Sequence, residues 1–309
     1  MPIYVLGQRN PLVKIPNQAL TVSISGSLHA ASLVVHAGDE HAPMQPSSHL
    51  AVLPQVSGPV SVIVVPAAGA DRFAADTRVS LAIGHDSASD LDPVQVLFDP
   101  VDVSGDSRVE LARLTAHGTS VEVEATAGTD VPLSPLASAA RASARKVVER
   151  QSRDTRGPVL VALDTSASML PVFAGGAAVA AIDVVVGVAA AVGISDVSAV
   201  LVGEEPIPVS CGVGAQLAAV VSAATPSWSA GARWSCLPDN GGYIVVCTDF
   251  PTRIALQGSV VLAFSDARGL DAHCVRIPTP RPGLRSDDEL LADPAALDRI
   301  TSSLVQAFR

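Results

Sequence analysis

Apolar and polar residues alternate with a period of two through the first half of the chain. This alternation predicts β-strands with one buried and one solvated face. Gly, Pro, Ser and Asp separate the runs, as they do in a β-sandwich. A helix with Ser134 as N-cap and Pro135 at its first position is expected to close this half. The alternating runs are Leu20–Ser25, Ala31–His36, Pro59–Val65, Arg78–Ile83, Val94–Phe98, Val109–Leu114 and Ser120–Ala125.

The second half has longer apolar runs that alternate with helical patterns, which implies a mostly parallel sheet with helices on both faces. The change of pattern predicts a β-rich domain at 1–150 and an α/β domain at 157–309, joined by a polar segment. Strands are expected at Val159–Leu163, Val197–Val202, Ile207–Val209, Tyr243–Cys247, Val260–Phe264 and His273–Ile277. Helices are expected near Phe173–Val192 and Gly214–Ala224. A last helix is expected to begin at Pro294 after the N-cap Asp293, and Ser286–Glu289 just before it resembles a capping box.

Polar side chains follow the first strand of the second half. Asp164, Ser166 and Ser168 come directly after Val159–Leu163. In an open parallel sheet, ligands bind at the carboxyl ends of the strands. One carboxylate and two hydroxyls on a short loop are hard oxygen donors, which suit Mg²⁺. A plain helix cap by the serines is the alternative interpretation.

With this loop and the later strand that ends in Asp249, residues 156–309 resemble a von Willebrand factor A (vWA) domain with its metal-ion-dependent adhesion site. The resemblance implies a metal site formed by Asp164, Ser166, Ser168 and Asp249, holding Mg²⁺, with Mn²⁺ or Ca²⁺ as alternatives. It also implies that a carboxylate of a partner protein completes the site. Two positions depart from the family: Phe250 replaces the usual glycine, and Val213 stands where a threonine is expected, with Ser210 as a substitute if the loop shifts.

The first half is similar to tellurium-resistance (TerD-type) stress proteins in Gly7–Leu12 and Glu110–Leu114. The resemblance implies a β-sandwich, calcium binding through acidic loops and a role in a tellurite or stress response. The early aspartates of the family are replaced here by Ser27–Ser32. We therefore expect a domain that binds little calcium, with solvated turns at the acidic clusters Asp39–Glu40, Asp86/Asp90/Asp92 and Asp99/Asp102/Asp106.

Composition excludes some classes of function. The net charge of −10 argues against a nucleic-acid partner. The four cysteines lack zinc-ligand spacing, and no signal peptide is evident, so a reducing cytoplasmic location is expected. The apolar stretch Val172–Ile194 is long enough for a membrane span, but Asp183 and its position after the Asp164 loop favour a buried helix.

Two alternatives to a metal-dependent interaction module remain open from the sequence. The first is a metal-free scaffold with a degenerate site. The second is a hydrolase that uses Ser166 or Ser168 as its nucleophile, which the absence of a Gly-x-Ser-x-Gly elbow disfavours. The basic segment Arg141–Arg156 is interpreted as the solvated face of a helix leading into a linker, or as a docking surface for acidic groups. Trp228 and Trp234 are interpreted as anchors of a long loop.

Overall fold

The structure of the chain is a computed structural model that describes residues 2–7, 10–38, 43–67, 69–85, 93–127, 132–148, 157–209, 211, 214–238, 241–251, 259–264, 274–278 and 284–308. The chain divides into two compact units, Met1–Val131 and Pro132–Arg309. Each unit has its own large apolar core. The joint expected at 151–156 lies outside the described residues.

Two β-sheets make up the first unit. The larger sheet consists of β1 (Ile3–Leu6), β3 (Leu20–Gly26), β5 (Met44–Ser47), β6 (Leu50–Leu53), β8 (Arg78–His85), β9 (Gln95–Phe98) and β10 (Val101–Asp102). The smaller sheet consists of β2 (Leu12–Pro16), β4 (Ala31–His36), β7 (Val60–Pro66), β11 (Val109–His117) and β12 (Ser120–Ala125). The strand orders are β1-β9-β8-β3-β6-β5, with β10 beside β8, and β2-β12-β11-β7-β4. Strands β1 and β9 run parallel, whereas the other pairs of this unit are antiparallel.

The two sheets share one apolar core, so the predicted β-sandwich is confirmed for this unit. Val22 and Ile83 of the larger sheet and Val62 and Leu114 of the smaller sheet are all completely buried in it. Alternate residues of each main strand enter this core, because successive side chains of a strand point to opposite faces. Every alternating run named above forms a strand. The alternating runs do not include β1, β2, β5, β6 and β10, which have at most five residues and little alternation.

The second unit contains one six-stranded sheet. Its strands are β13 (Val159–Asp164), β14 (Val197–Val202), β15 (Pro206–Val209), β16 (Tyr243–Thr248), β17 (Val260–Ala263) and β18 (Cys274–Arg276), in the order β15-β14-β13-β16-β17-β18. All neighbours are parallel except β15, which is antiparallel to β14. The predicted strands and the mostly parallel sheet are therefore confirmed.

The described helices of the second unit all pack in one apolar core. They are α1 (Pro135–Arg145), α2 (Leu170–Ala174), α3 (Ala177–Ala191), α4 (Leu217–Ala223), α5 (Ser286–Ala292) and α6 (Pro294–Ala307). Sheet residues Val161, Leu201 and Cys247 face the same core. Burial in this core raises the pKa of the Cys247 thiol, which makes it inert.

Helices on both faces of the sheet were expected, and the described residues differ from that layout. On the opposite face, Ala162, Val202 and Val246 are buried together with Trp234, which belongs to a short 3₁₀ turn at Trp234–Cys236. Within the described ranges no α-helix covers this face. Trp234 is therefore a buried anchor, as predicted, and it fills space beside small sheet residues.

The helix α1 was assigned to the first half of the sequence, but it packs inside the second unit. Leu136 and Ala140 lie in the same core as α3 and α6. A Cβ at Gly187 of α3 would come within 2.2 Å of the carbonyl oxygen of Ala137, so the two helices meet at backbone distance. The division between the units accordingly falls before α1 rather than after it. The N-cap prediction holds, since Ser134 Oγ accepts from the backbone N–H of Ala137 at 3.1 Å.

The predicted helix at Phe173–Val192 is two helices. Gly176 has φ +76°, a left-handed conformation that glycine adopts without strain, and the helical segments Ala167–Ala174 and Ala177–Ala191 meet there at an angle of 72°. The residues on both sides of Gly175 and Gly176 are apolar, so the hydrophobic pattern continues across the break. No single described helix is long and apolar enough to cross a membrane, although this bent pair passes the test of length and composition together.

Several charged residues that were interpreted as solvated are buried. Arg141 and Arg145 of α1 are each 2% exposed, so this part of the basic segment is not a solvated face. Asp102 and Asp106 are 6% and 3% exposed, so the turn that holds them is not a solvated one.

Ser286 was expected to cap a helix, but its hydroxyl donates to the carbonyl of Gly175 at 3.2 Å. Periodicity cannot predict such contacts, because their partners are remote in sequence.

Candidate functional site

The carboxyl ends of β13 and β16 lie next to each other. The two strands are parallel, and their paired residues run from Val159–Tyr243 to Leu163–Cys247. Asp164 ends β13 and Asp249 directly follows β16, so the shared register brings both to the same edge of the sheet. The resemblance to the vWA fold implied this side-by-side arrangement.

Asp164 is a buried carboxylate that fixes the shape of the loop. It is 4% exposed, and its Oδ1 accepts from the backbone N–H of Ser166 at 2.7 Å. Its Oδ2 accepts from the hydroxyl of Thr248 at 2.6 Å. Because both oxygens already accept short hydrogen bonds, the role available to Asp164 is to hold the loop and to attract a cation through its charge.

Ser166, Ser168 and Asp249 form a row of oxygen atoms with Ser168 in the middle. Ser168 Oγ donates to Asp249 Oδ1 at 3.1 Å. The hydroxyls of Ser166 and Ser168 are 3.0 Å apart. Since the proton of Ser168 is used by Asp249, Ser166 donates to Ser168. Ser166 is buried, Asp249 is half-buried and Ser168 is exposed. Each hydroxyl oxygen keeps lone pairs that can face a cation.

The spacing of this row fits a small divalent cation. Mg²⁺ binds oxygen atoms at about 2.0–2.1 Å in an octahedron, so neighbouring ligand atoms lie about 2.9 Å apart. The two oxygen–oxygen separations in the row, 3.0 and 3.1 Å, are close to that edge length. Ser166, Ser168 and Asp249 are therefore the residues that would contact the ion, with Asp164 behind them.

The segment around Ser229 supports the serine loop. The carbonyl of Ser229 accepts from the N–H of Ala167 at 2.9 Å, and its own N–H donates to the carbonyl of Thr165 at 3.1 Å. A Cβ at Gly203 would lie 3.0 Å from the hydroxyl oxygen of Thr165, so β14 also approaches the loop closely. Half-buried Trp228, beside Ser229, makes an edge-to-face contact with Phe173 at 5.3 Å between ring centroids. The loop is thus held from two sides.

Thr248 and Ser229 are the residues that the sequence analysis missed. Thr248 is completely buried, and its Oγ1 accepts from the N–H of Phe250 at 3.1 Å while it donates to Asp164. Its position just before Asp249 was a usable signal, since a hydroxyl at the end of a neighbouring strand reaches the same sheet edge. Ser229 gave no signal, because it lies in an irregular segment far along the chain.

Other residues named from the sequence contribute less. Val213 and Ser210, the two candidates for the missing threonine position, lie outside the described residues, as does Asp266. Glu204 and Glu205 are exposed beyond the end of β14. In the described part of the chain, no group of three or more His, Cys, Asp or Glu side chains is placed to hold a metal ion. The row depends on serine hydroxyls instead.

A scan against protein-family models gives no match for this chain, and a search of curated proteins gives none either. The resemblances to the vWA and TerD families therefore stay predictions that rest on the residues quoted for them.

Proposed function

We propose that the second unit is a divalent-cation-dependent protein-interaction module of the vWA type. In this proposal Ser166, Ser168 and Asp249 hold Mg²⁺, and a carboxylate of a partner protein completes the site. The observation that carries the proposal is the row of three side-chain oxygens, with neighbouring atoms 3.0 and 3.1 Å apart, at the carboxyl ends of β13 and β16.

The charges of the site would balance those of a divalent cation. Two carboxylates, Asp164 and Asp249, would offset its double charge, and the hydroxyls of Ser166 and Ser168 are neutral. When bound, Mg²⁺ supplies a Lewis-acidic position that an anionic ligand can occupy. The chain itself orients that ligand, because the hydrogen bonds of Asp164 and Thr248 fix the two strand ends. This chemistry needs neither a base nor a nucleophile.

Direct metal binding is the first test. Mn²⁺, which can replace Mg²⁺ and is visible by electron paramagnetic resonance, is titrated into the whole chain. Wild type should bind one Mn²⁺ that Mg²⁺ displaces, and Ser168→Ala should lose that binding. Ser303→Ala is the control, since Ser303 is an exposed serine that bonds only within α6. Equal Mn²⁺ binding by Ser168→Ala and wild type would contradict the site.

Partner capture is the second test. Immobilised chain should retain proteins from a cell extract in Mg²⁺, EDTA should release them, and the Ser168→Ala variant should retain none. Hydrolysis of simple esters that is lost in Ser166→Ala would favour the hydrolase instead. A role in a tellurite or stress response rests on the TerD resemblance alone, and survival of cells lacking the chain under tellurite would test it.

A metal-free scaffold is the second candidate function, and one observation favours it. The hydrogen bonds among Ser166, Ser168 and Asp249 link the polar row without a cation. In that case capture of partners should be indifferent to EDTA. The two candidates thus differ in a single measurement.

A further inference from the structure

Two exposed apolar residues lie within two positions of the oxygen row along the chain. Phe250 directly follows Asp249 and is 75% exposed, the highest value among the large apolar residues in the described part of the chain. Leu170 lies two residues after Ser168 and is 46% exposed. Since consecutive Cα atoms are 3.8 Å apart, each lies within about 8 Å of its site residue along the chain. We call Leu170 and Phe250 the apolar pair.

The apolar pair stands on rigid backbone. The N–H of Phe250 donates to Thr248 Oγ1 at 3.1 Å, and Thr248 is bonded in turn to Asp164. Leu170 begins α2, and Met169 beside it is completely buried. The backbone at both positions is therefore held by contacts next to those that hold the oxygen row.

The sequence places this apolar surface where the vWA pattern has glycine. A glycine after Asp249 would leave the rim of the site without a side chain, whereas phenylalanine adds a large apolar ring. Aromatic residues are enriched in the buried centres of protein interfaces, with polar groups around them. An exposed ring next to an anion-binding row is thus suited to a ligand that carries both an acidic and an apolar group.

We propose that the apolar pair selects the partner: the site takes an aspartate or glutamate that is flanked in the partner's sequence by a bulky apolar residue. This inference rests on the proposed function, because the carboxylate is the group that occupies the oxygen row. The apolar pair packs against the neighbouring side chain of the partner and excludes water from the charged contact. Small anions without an apolar group bind weakly.

The test uses three fluorescein-labelled peptides and fluorescence polarisation with the whole chain. Their sequences are Gly-Ser-Leu-Asp-Gly-Ser, Gly-Ser-Gly-Asp-Gly-Ser and Gly-Ser-Leu-Asn-Gly-Ser. In Mg²⁺ the Leu-Asp peptide should bind at least about tenfold more tightly than the Gly-Asp peptide, because burial of a leucine side chain is worth about that factor. The Leu-Asn peptide should not bind, and EDTA should abolish binding of the other two.

Variants separate the inference from the proposed function. Phe250→Ala and Leu170→Ala should reduce the affinity for Leu-Asp to that for Gly-Asp and leave Gly-Asp unchanged. Met44→Ala, which removes an exposed apolar side chain of the first unit, should change neither. If both acidic peptides bind equally and Phe250→Ala has no effect, the selectivity is wrong while the carboxylate site stands. If no acidic peptide binds in Mg²⁺, both proposals fail.

A second measurement reports on the ring itself. The chain contains six phenylalanines, so protein labelled with 4-fluorophenylalanine should give six ¹⁹F signals, and the signal missing in Phe250→Ala identifies Phe250. The Leu-Asp peptide should shift that signal, and the Gly-Asp peptide should leave it nearly unmoved. A Phe250 signal that ignores the Leu-Asp peptide while it binds would overturn the inference.

Discussion

Two turns of this chain share the pattern Asp-x-Ser but differ in what surrounds them. In the first unit Asp102 Oδ1 accepts from the N–H of Ser104 at 2.9 Å. In the second unit Asp164 Oδ1 accepts from the N–H of Ser166 at 2.7 Å. The local hydrogen bond is the same in both turns, and it is the one expected of an aspartate in a turn.

The two turns diverge at the serine hydroxyl. Ser104 Oγ accepts from the N–H of Thr77 at 3.0 Å, and both residues are buried. Ser166 Oγ contacts Ser168 Oγ, and Ser168 Oγ donates a hydrogen bond to the partly exposed Asp249. The first turn therefore uses its polar atoms to fix the backbone, whereas the second presents them at an open sheet edge. The same motif is structural in one unit and a candidate site in the other.

The largest expected effect comes from removing the carboxylate that holds the second turn. Asp164→Ala leaves two buried donors, the Ser166 N–H and the Thr248 hydroxyl, without their acceptor. Each unsatisfied group costs about 1–3 kcal/mol, so the free energy of unfolding of the second unit should fall by about 2–6 kcal/mol. Urea denaturation measures this. Asp196→Ala, at an exposed aspartate, is the control and should change stability by less than about 0.5 kcal/mol.

Removing the serine hydroxyl of the first turn should have the next largest effect. Ser104→Ala leaves the buried N–H of Thr77 without its acceptor and should destabilise the first unit by about 1–3 kcal/mol. Ser107→Ala, at an exposed serine of the same turn, is the control.

Calorimetry should detect no tight Ca²⁺ binding in wild type. Micromolar Ca²⁺ affinity that disappears in Asp102→Asn would show that the first turn is a binding site after all.

Removing the exposed hydroxyl of the second turn should change metal dependence rather than stability. At about ten times its dissociation constant, Mg²⁺ should stabilise the second unit by about 1.4 kcal/mol, which raises its melting temperature by about 2–6 °C. Ser168→Ala without metal should lie within about 0.5 kcal/mol of wild type, since Ser168 is exposed, and should lose the Mg²⁺ shift. An undiminished shift in this variant would place the bound ion elsewhere.

The smallest effect concerns Asp183, a buried carboxylate of α3 outside both turns. Burial raises its pKa above the usual value, a hydrogen bond from Ser134 opposes that shift, and the charge of Asp287 adds to it. A carboxyl whose pKa is raised by folding binds its proton more tightly in the folded state, so stability falls as pH rises through that pKa.

Asp183→Asn cannot ionise, so its stability relative to wild type should improve between about pH 4 and pH 7. Denaturation of both proteins at several pH values measures the difference. Asp287→Asn should show the same trend more weakly, because it removes only the lesser charge effect. A difference that does not change with pH would mean that Asp183 does not carry the ionisation cost.

Patterns along the chain were enough to predict the main elements and half of the site. Period-two runs such as Leu20–Ser25 became strands because alternation by itself determines which face is buried. The strand–helix alternation predicted a parallel sheet, and the adjacency of Asp164 and Asp249 was an implication of the vWA resemblance. The hydrogen bond from the serine N–H to the aspartate in each Asp-x-Ser turn joins residues two apart, so the local sequence is enough to suggest it.

Only the tertiary structure decided which polar residues are buried and which helix belongs to which unit. Arg141 and Asp106 look like surface residues in the sequence, and their burial depends on chain segments far from them. The helix α1 joins the second unit because Gly187 lets it approach α3 at backbone distance. Thr248 became part of the site because its hydroxyl meets Asp164 across two paired strands. Contacts between segments that are far apart in the sequence produce no periodic pattern of apolar and polar residues, because each contact forms only when the two segments pack together.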